Sequence, residues 1–225
     1  MLSWLNIAWF AMFYRLRRLF EYLQSVLKYY RWPDFRKVDL ALVTNYLRAN
    51  PYHVARRFAE LQGEKVLHTY GETPLLTLEK VAHRCGMTHQ DVVLELGCGR
   101  ARTCFWLATV WGCKTIGVDN NPYFIRIAER IAHKYHIQNL EFRCEDLLHT
   151  DLSDATVIYL YGSAFDSDFI RQLAARMGRL PKQTSIITVS YPMQNYAQKP
   201  LFELVESFEL PFTWGLATIY WQRVR

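Results

Sequence analysis

The sequence predicts an α/β domain in which a mainly parallel sheet carries helices on both faces. Beyond residue 90, short apolar runs of the kind that form buried parallel strands alternate with helical segments. The final stretch holds two strand-like runs with no helix between them, which indicates a terminal antiparallel hairpin. With 51% hydrophobic and 21% charged residues in 225, the chain is not a disordered protein.

The predicted elements follow one another in a regular order. Two short helices are expected over 38–47 and 52–61, and Pro74 suits the first turn of a third helix that ends near Arg84. The hairpin is expected from 201–210 and 212–223, with Pro211 between them. The five strands before it are predicted over 92–96, 114–118, 140–143, 156–161 and 185–190.

The first 37 residues differ in composition from the rest, and we treat them as a separate segment ahead of a helical lead-in (38–69) and the main domain (70–225). Residues 2–14 are apolar and uncharged, but these 13 residues fall short of the roughly 20 that span a bilayer. Positive charge follows this run instead of preceding it, which disfavours a cleaved secretory signal.

Residues 16–30 have the spacing of a basic amphipathic helix, and 1–37 carry +5 of the net charge of +6. We expect residues 1–31 to bind a membrane surface and the protein to lie on its cytoplasmic side, or else free in the cytoplasm. The alternative is that this helix packs on the domain or on a partner. Nucleic acid is the weaker explanation of the charge.

A glycine-containing turn indicates a small-molecule binding site. Gly97-Cys98-Gly99 follows a buried strand, where glycines let the backbone turn tightly and a ligand approach its N–H groups. Asp119 ends the second strand 20 residues after Gly99, where a carboxylate accepts hydrogen bonds from ribose hydroxyls. Asp146 follows the third strand and is placed to meet an adenine amine.

The same motif discriminates between nucleoside cofactors. Arg102 stands where a dinucleotide fold needs its third glycine. Glu95, just before the turn, would repel phosphate but anchor a cationic amino group. These residues favour S-adenosylmethionine over a nicotinamide cofactor. No phosphate-binding loop of nucleoside triphosphatases is present, and the five cysteines form no C-x-x-C pair, so we expect no metal site.

The Glu-Leu-Gly-Cys-Gly turn, Asp119 and the terminal hairpin resemble the class I S-adenosylmethionine-dependent methyltransferases, which implies a Rossmann-like seven-stranded sheet with its last strand antiparallel. Within that superfamily, segments 70–73, 145–147 and 157–165 resemble the non-SET histone-lysine methyltransferases of the disruptor-of-telomeric-silencing type. The apolar N-terminal segment ahead of a minimal domain is more similar to the ATP-synthase c-subunit lysine methyltransferase family.

This resemblance implies a set of site residues and a protein-lysine substrate. A catalytic role is implied for Tyr70, Tyr161 and Phe165, although the histone enzymes have asparagine where this chain has Tyr161. Tyr191 and Tyr220 are further candidates for an aromatic channel. The cofactor-binding residues implied are Tyr70, Glu72, Thr73, Glu95, Gly97, Gly99, Asp119, Asn120, Glu145, Asp146 and Tyr161.

Three functions remain open at this point. The first is methyl transfer to a protein lysine by direct displacement, which depends on alignment more than on a dedicated base. The second is methyl transfer to a lipid or small molecule, which the aromatic N-terminus suits equally. The third is a non-catalytic membrane-associated scaffold with the methyltransferase fold.

Overall fold

Seven strands form one mixed sheet in the computed structural model, which describes residues 4–63, 70–162 and 165–225. The strands are β1 (Val92–Leu96), β2 (Lys114–Asp119), β3 (Leu140–Cys144), β4 (Val157–Leu160), β5 (Ser185–Val189), β6 (Phe202–Phe212) and β7 (Gly215–Val224). Their order across the sheet is β3-β2-β1-β4-β5-β7-β6, and all neighbours are parallel except β5–β7 and β6–β7. The predicted fold class is confirmed.

Helices precede the sheet and connect its strands. Within the described residues, four lie before β1, namely α1 (Trp4–Tyr29), α2 (Pro33–Tyr46), α3 (Pro51–Leu61) and α4 (Leu75–Arg84). The connecting helices are α5 (Arg102–Trp106), which continues as a π-helical turn over Leu107–Trp111, α6 (Pro122–Lys134) and α7 (Ser167–Met177). Proline begins α2, α3 and α6, where its missing N–H costs no helical hydrogen bond.

Alternate residues of the central strands enter two separate cores. Val93 of β1 belongs to a core that also takes residues from α1, α2, α4, α5 and α6, whereas Leu94 belongs to a second core that takes residues from α7. This alternation follows from the period of two along a strand. Because both faces are covered, the functional groups gather at the carboxyl ends of the strands, where the chain order reverses between β1 and β4.

The turn of the terminal hairpin lies two residues later than its proline suggested. Pro211 is part of β6 and pairs with Leu216, and the chain turns at Thr213-Trp214. A proline is tolerated here because β6 is the edge strand, so the missing N–H costs no ladder bond on the outer side.

Helix α1 packs on the domain through one face and leaves another exposed. Tyr29 is fully buried and Ser25 nearly so, while Lys28 forms an ion pair with Glu79 of α4. The exposed face carries a run of large apolar side chains that we call the α1 stripe: Met12, Leu16, Leu19, Phe20, Leu23 and Leu27, each 49–85% exposed. The helix therefore docks through tyrosines and small polar residues, and the leucine-rich face predicted from the spacing points away from the domain.

No helix within the described residues is both long and apolar enough to cross a membrane. The described residues start at Trp4, so the beginning of the apolar run over 2–14 lies outside them.

Candidate functional site

The glycine turn lies between β1 and α5 and is held by β2. The N–H groups of Gly97 and Cys98 both donate to the carbonyl oxygen of Val118, at 2.8 and 3.0 Å. Gly97 and Gly99 have φ values of +77° and +53°, in the left-handed region that favours glycine. A Cβ on Gly99 would come within 2.6 Å of the Tyr70 ring, whereas the space beside Gly97 is open. The turn is thus closed on one side and accessible on the other.

Asp119 connects the turn to the end of β2. One carboxylate oxygen accepts the N–H of Gly99 at 2.8 Å, and the other accepts the N–H of Asn121 at 2.9 Å. Burial raises the pKa of Asp119, and the two backbone donors oppose that rise. Each oxygen keeps lone pairs that a pair of hydroxyl donors can reach.

A cleft of about 440 Å³ opens at these strand ends, within the range of small-molecule sites. One wall is polar and comes from the strand ends, and the other is apolar and comes mainly from α3 and α7. The stacked rings of Phe165 and Phe169 lie on the apolar side, with centroids 4.4 Å apart. Its lining residues are Ala55, Phe58, Ala59, Tyr70, Gly71, Gly97, Gly99, Asp119, Asn120, Asn121, Phe124, Asp146, Leu147, Tyr161, Gly162, Phe165, Asp166 and Phe169.

A smaller inner pocket adjoins the cleft and contains Glu95. The Glu95 carboxylate is buried and accepts hydrogen bonds from Thr103 Oγ1 at 2.6 Å and Cys104 Sγ at 3.0 Å. Burial raises the pKa of Glu95 to about 7, and the two donors oppose that rise. A cationic group in this pocket would favour the ionised carboxylate.

The loop that begins at Tyr70 closes the inner pocket. Glu72 forms a two-point ion pair with the Arg100 guanidinium at 2.5 and 2.6 Å, and Tyr70 Oη donates to Glu72 at 2.8 Å. Although burial acts to raise it, the Arg100 charge holds the pKa of Glu72 below its ordinary value. Thr73 shares a hydrogen bond of 2.6 Å with Tyr159. The pocket encloses only about 10 Å³, and residues 70–73 of this loop form part of its lining.

Four residues line both the cleft and the inner pocket: Tyr70, Gly71, Gly97 and Tyr161. They mark the junction of the two cavities, and two of them are aromatic. Of the other aromatic candidates, Phe165 lines the cleft. Among the described residues the cleft wall does not include Tyr191, which donates to the Gly162 carbonyl oxygen at 2.9 Å, or Tyr220.

One predicted cofactor residue lies outside the cavities. Glu145 has an exposed side chain that is absent from the described lining of the cleft, and only its backbone N–H contacts the site, donating to the Asp119 carbonyl oxygen at 3.2 Å. Its neighbour Asp146 does line the cleft, as expected where successive side chains of an extended segment alternate. No group of three or more metal-ligating side chains occurs in the part of the chain that the structure describes.

The residues present fit a nucleoside with a cationic amino acid end. A buried acid lies in the inner pocket, a carboxylate lies beside the open turn, and Asp146 also lines the cleft. Sequence reasoning missed Asn121: its side chain is buried in the cleft wall, and its Nδ2 has no hydrogen-bond partner among the described residues. A buried donor without a partner is costly, which makes Asn121 a candidate site residue.

Comparison with known proteins finds similarity to methyltransferases. The family model described as the ANTKMT methyltransferase domain matches residues 95–200. Over 82 residues the chain is 32% identical to the sterol 24-C-methyltransferase of Eremothecium gossypii, a match that covers 36% of this chain and 22% of that protein. It is 30% identical over 111 residues to the 2-heptyl-1-hydroxyquinolin-4(1H)-one methyltransferase of Mycobacteroides abscessus, covering 49% and 46%. The chain thus spans less than half the length of these curated relatives.

Solved structures share the fold at low identity. An RNA methyltransferase from Salinibacter ruber, in complex with S-adenosyl-L-homocysteine, is 22% identical with a TM-score of 0.57, covering 68% of this chain and 93% of that chain. Magnesium protoporphyrin IX methyltransferase from Synechocystis, with bound S-adenosylmethionine, is 15% identical with a TM-score of 0.53, covering 81% and 95%. The order of the seven strands and this likeness show the fold of the class I S-adenosylmethionine-dependent methyltransferases, and the family-model match supports membership of that class.

Proposed function

We propose that this chain methylates the ε-amine of a protein lysine. The observation that carries the proposal is the match of residues 95–200 to the ANTKMT family model, which spans Glu95, Asp119, Asp146 and Tyr161. The bound cofactor supplies an electrophilic methyl group on a sulfonium. The polar wall of the cleft would hold the nucleoside, and Glu95 would hold the amino group.

The aromatic junction supports an amine acceptor. Tyr70 and Tyr161 line it, and the pKa of Tyr70 lies well above its ordinary value because of burial, so its hydroxyl stays neutral. A lysine amine has an ordinary pKa near 10.4, and an apolar, desolvated wall lowers it by disfavouring the charged form. The proton leaves to solvent as the amine loses its water on entering, and the lone pair of the neutral amine would then form the nitrogen–carbon bond as the carbon–sulfur bond of the sulfonium breaks. Alignment of the amine nitrogen with the methyl carbon and the sulfur would supply most of the rate enhancement.

Labelled methyl transfer into a lysate that retains its membranes tests this proposal. Wild type should produce acid-stable methyl-lysine in the protein fraction, and Asp119→Ala should not. Asp154→Ala is the matched control, because Asp154 is exposed and absent from the described lining of the cleft. Methyl-lysine that Asp119→Ala still produces, or none with wild type, would refute the proposal.

Methyl transfer to a lipid or small apolar molecule is the second candidate. The identity to sterol 24-C-methyltransferase and the exposed α1 stripe favour it. Asp119-dependent label confined to the organic extract would select it over the lysine proposal. A scaffold without catalysis predicts no label in either fraction, whether or not the protein binds S-adenosylhomocysteine.

We further propose that the α1 stripe lies in a membrane interface, with the domain on the cytoplasmic side. Its six apolar side chains are exposed along one helix face, and seven cations against two anions occur in residues 1–37. The triple variant Leu16→Glu, Phe20→Glu, Leu23→Glu should abolish flotation with vesicles that contain phosphatidylserine. Leu204→Glu on β6, at a site 40% exposed, should still float. Equal flotation of both variants would refute the proposal.

A further inference from the structure

The turn of the terminal hairpin contacts the junction of the two cavities from outside. Trp214, 48% exposed, donates its indole N–H to Tyr161 Oη at 2.8 Å. Its ring stacks on Phe212 with centroids 5.9 Å apart, and Phe212 lies 5.4 Å from the Tyr161 ring. An indole N–H only donates, so the tyrosine oxygen is the acceptor, and its position depends on the turn.

Tyr161 in turn lies close against the loop that closes the inner pocket. A Cβ at Gly71 would come within 2.6–2.9 Å of the hydroxyl end of Tyr161, so only glycine leaves room for this approach. Tyr161 lines both cavities, where a ligand that occupies both would present the atoms joining its two ends. A small displacement of Tyr161 therefore changes the wall at the point of transfer.

The turn is itself held by the N-terminal helix. Arg17 of α1 donates through Nη2 to the Phe212 carbonyl oxygen at 2.9 Å, and Arg17 is steadied by Glu21 one helical turn on. Thr77 of α4 donates to the Pro211 carbonyl oxygen at 2.5 Å. The last residues of β6 are thus fixed by side chains from two helices that precede the sheet.

We propose that Trp214 is a positioning residue for Tyr161 and that Arg17 sets the position of the turn that carries it. The N-terminal helix then orders the acceptor side of the site, in addition to any contact it makes with a membrane. The proposal rests on the proposed methyl transfer for its effect on rate. Its structural part, the linkage from Arg17 to Trp214 to Tyr161, stands on the three contacts alone. Arg17 and Trp214 both lie outside the stretch that the family model matches.

Fluorine resonances of 5-fluorotryptophan-labelled full-length protein test the linkage directly. Trp214→Phe identifies the Trp214 signal by its loss. Tyr161→Phe and Arg17→Met should both shift that signal, and Arg17→Lys, which keeps a donor, should restore it in part. Arg36→Met is the control, because Arg36 is an exposed cation on α2. A Trp214 signal that neither Tyr161→Phe nor Arg17→Met moves would overturn the proposal.

A double-mutant cycle on methyl transfer tests the effect on rate. Trp214→Phe should lower the transfer rate about tenfold, since small misplacements in an aligned displacement are costly. Binding of S-adenosylhomocysteine, measured by calorimetry, should change less than about twofold. In the Tyr161→Phe background, Trp214→Phe should have no further effect, because it acts through that hydroxyl. Rate losses that multiply would refute positioning through Tyr161. If wild type methylates no protein, the proposed function fails, and the fluorine resonances still decide the linkage.

Discussion

Replacement of Glu95 by glutamine should make the protein more stable at alkaline pH and weaken its hold on the cofactor. Glu95 is 6% exposed, and burial raises its pKa to about 7. Ionisation of this carboxylate inside the folded protein is therefore unfavourable unless a cation accompanies it. Glutamine keeps the shape and an oxygen that accepts from Thr103, but it never carries the charge.

The magnitude follows from the two pKa values. Between an unfolded value of 4.5 and a folded value of about 7, the folded state binds more protons, so the contribution of Glu95 to stability falls as pH rises. At about 1.4 kcal/mol for each pKa unit, the loss between pH 5 and pH 8 is about 2.5 kcal/mol. The glutamine variant lacks this loss.

Urea denaturation at pH 5, 6, 7 and 8 measures this contribution as the difference between wild type and Glu95→Gln. Glu203→Gln, on an exposed site of β6, should follow wild type throughout. In parallel, the Kd of wild type for S-adenosylhomocysteine should fall as pH rises through 7, because the amino group favours the ionised acid. The variant should bind at least about tenfold more weakly and with little pH dependence.

Parallel stability curves for wild type and Glu95→Gln between pH 5 and pH 8 would refute the reasoning about burial. Unchanged affinity of the variant for S-adenosylhomocysteine would refute the role of Glu95 as the anchor of the amino group. The two results are independent, since the first concerns the protein alone and the second concerns its ligand.

Three further predictions concern the turn, a buried ion pair and the loop. Gly97→Ala should cost about 1 kcal/mol in urea denaturation because of its positive φ, and should also weaken S-adenosylhomocysteine binding in calorimetry. Arg102→Met leaves Asp39 buried without its two-point partner and should lower the free energy of unfolding in urea by about 3–5 kcal/mol. Adding Asp39→Asn to this variant should recover most of the lost stability, and no recovery would contradict the pairing. Glu72→Gln weakens the ion pair with Arg100, which should lower the free energy of opening the loop by about 1 kcal/mol. In stopped flow, association of S-adenosylhomocysteine should therefore be about fivefold faster. A slower association would contradict the closed loop.

The sheet was predictable because strand signals are local. The expected run over 92–96 coincides with β1, and the other parallel strands differ from their predicted bounds by one residue at one or both ends. The turn lies at Thr213-Trp214, later than the predicted break at Pro211, because an edge strand tolerates a proline. No local signal in the sequence reports where a strand lies in the sheet. Similarly, spacing identified the apolar face of α1 but did not report that the domain takes the tyrosine face.

The candidate site was predictable where it depends on the turn itself. Gly97, Asp119 and Asp146 line one cleft because strand ends meet at one edge of a parallel sheet. The contacts that close the site join residues remote in sequence, such as Tyr161 with Trp214, and no periodicity encodes them. Asn121 was missed because it reads as an ordinary helix cap for α6, which it also is.

The strand order has a consequence for how the protein is made. β7 is the last strand in the chain but lies between β5 and β6, so the sheet has a gap until ribosomal synthesis has passed residue 224. Arg17 meets its partner on the hairpin only then, although α1 emerged first. At bacterial or eukaryotic elongation rates of about 5–20 residues per second, α1 waits on the order of ten seconds or more for that partner. During that interval the docking face with Tyr29 and Ser25 is uncovered as well as the α1 stripe, so the whole circumference of the helix is available to chaperones or to a bilayer before the helix meets its own domain.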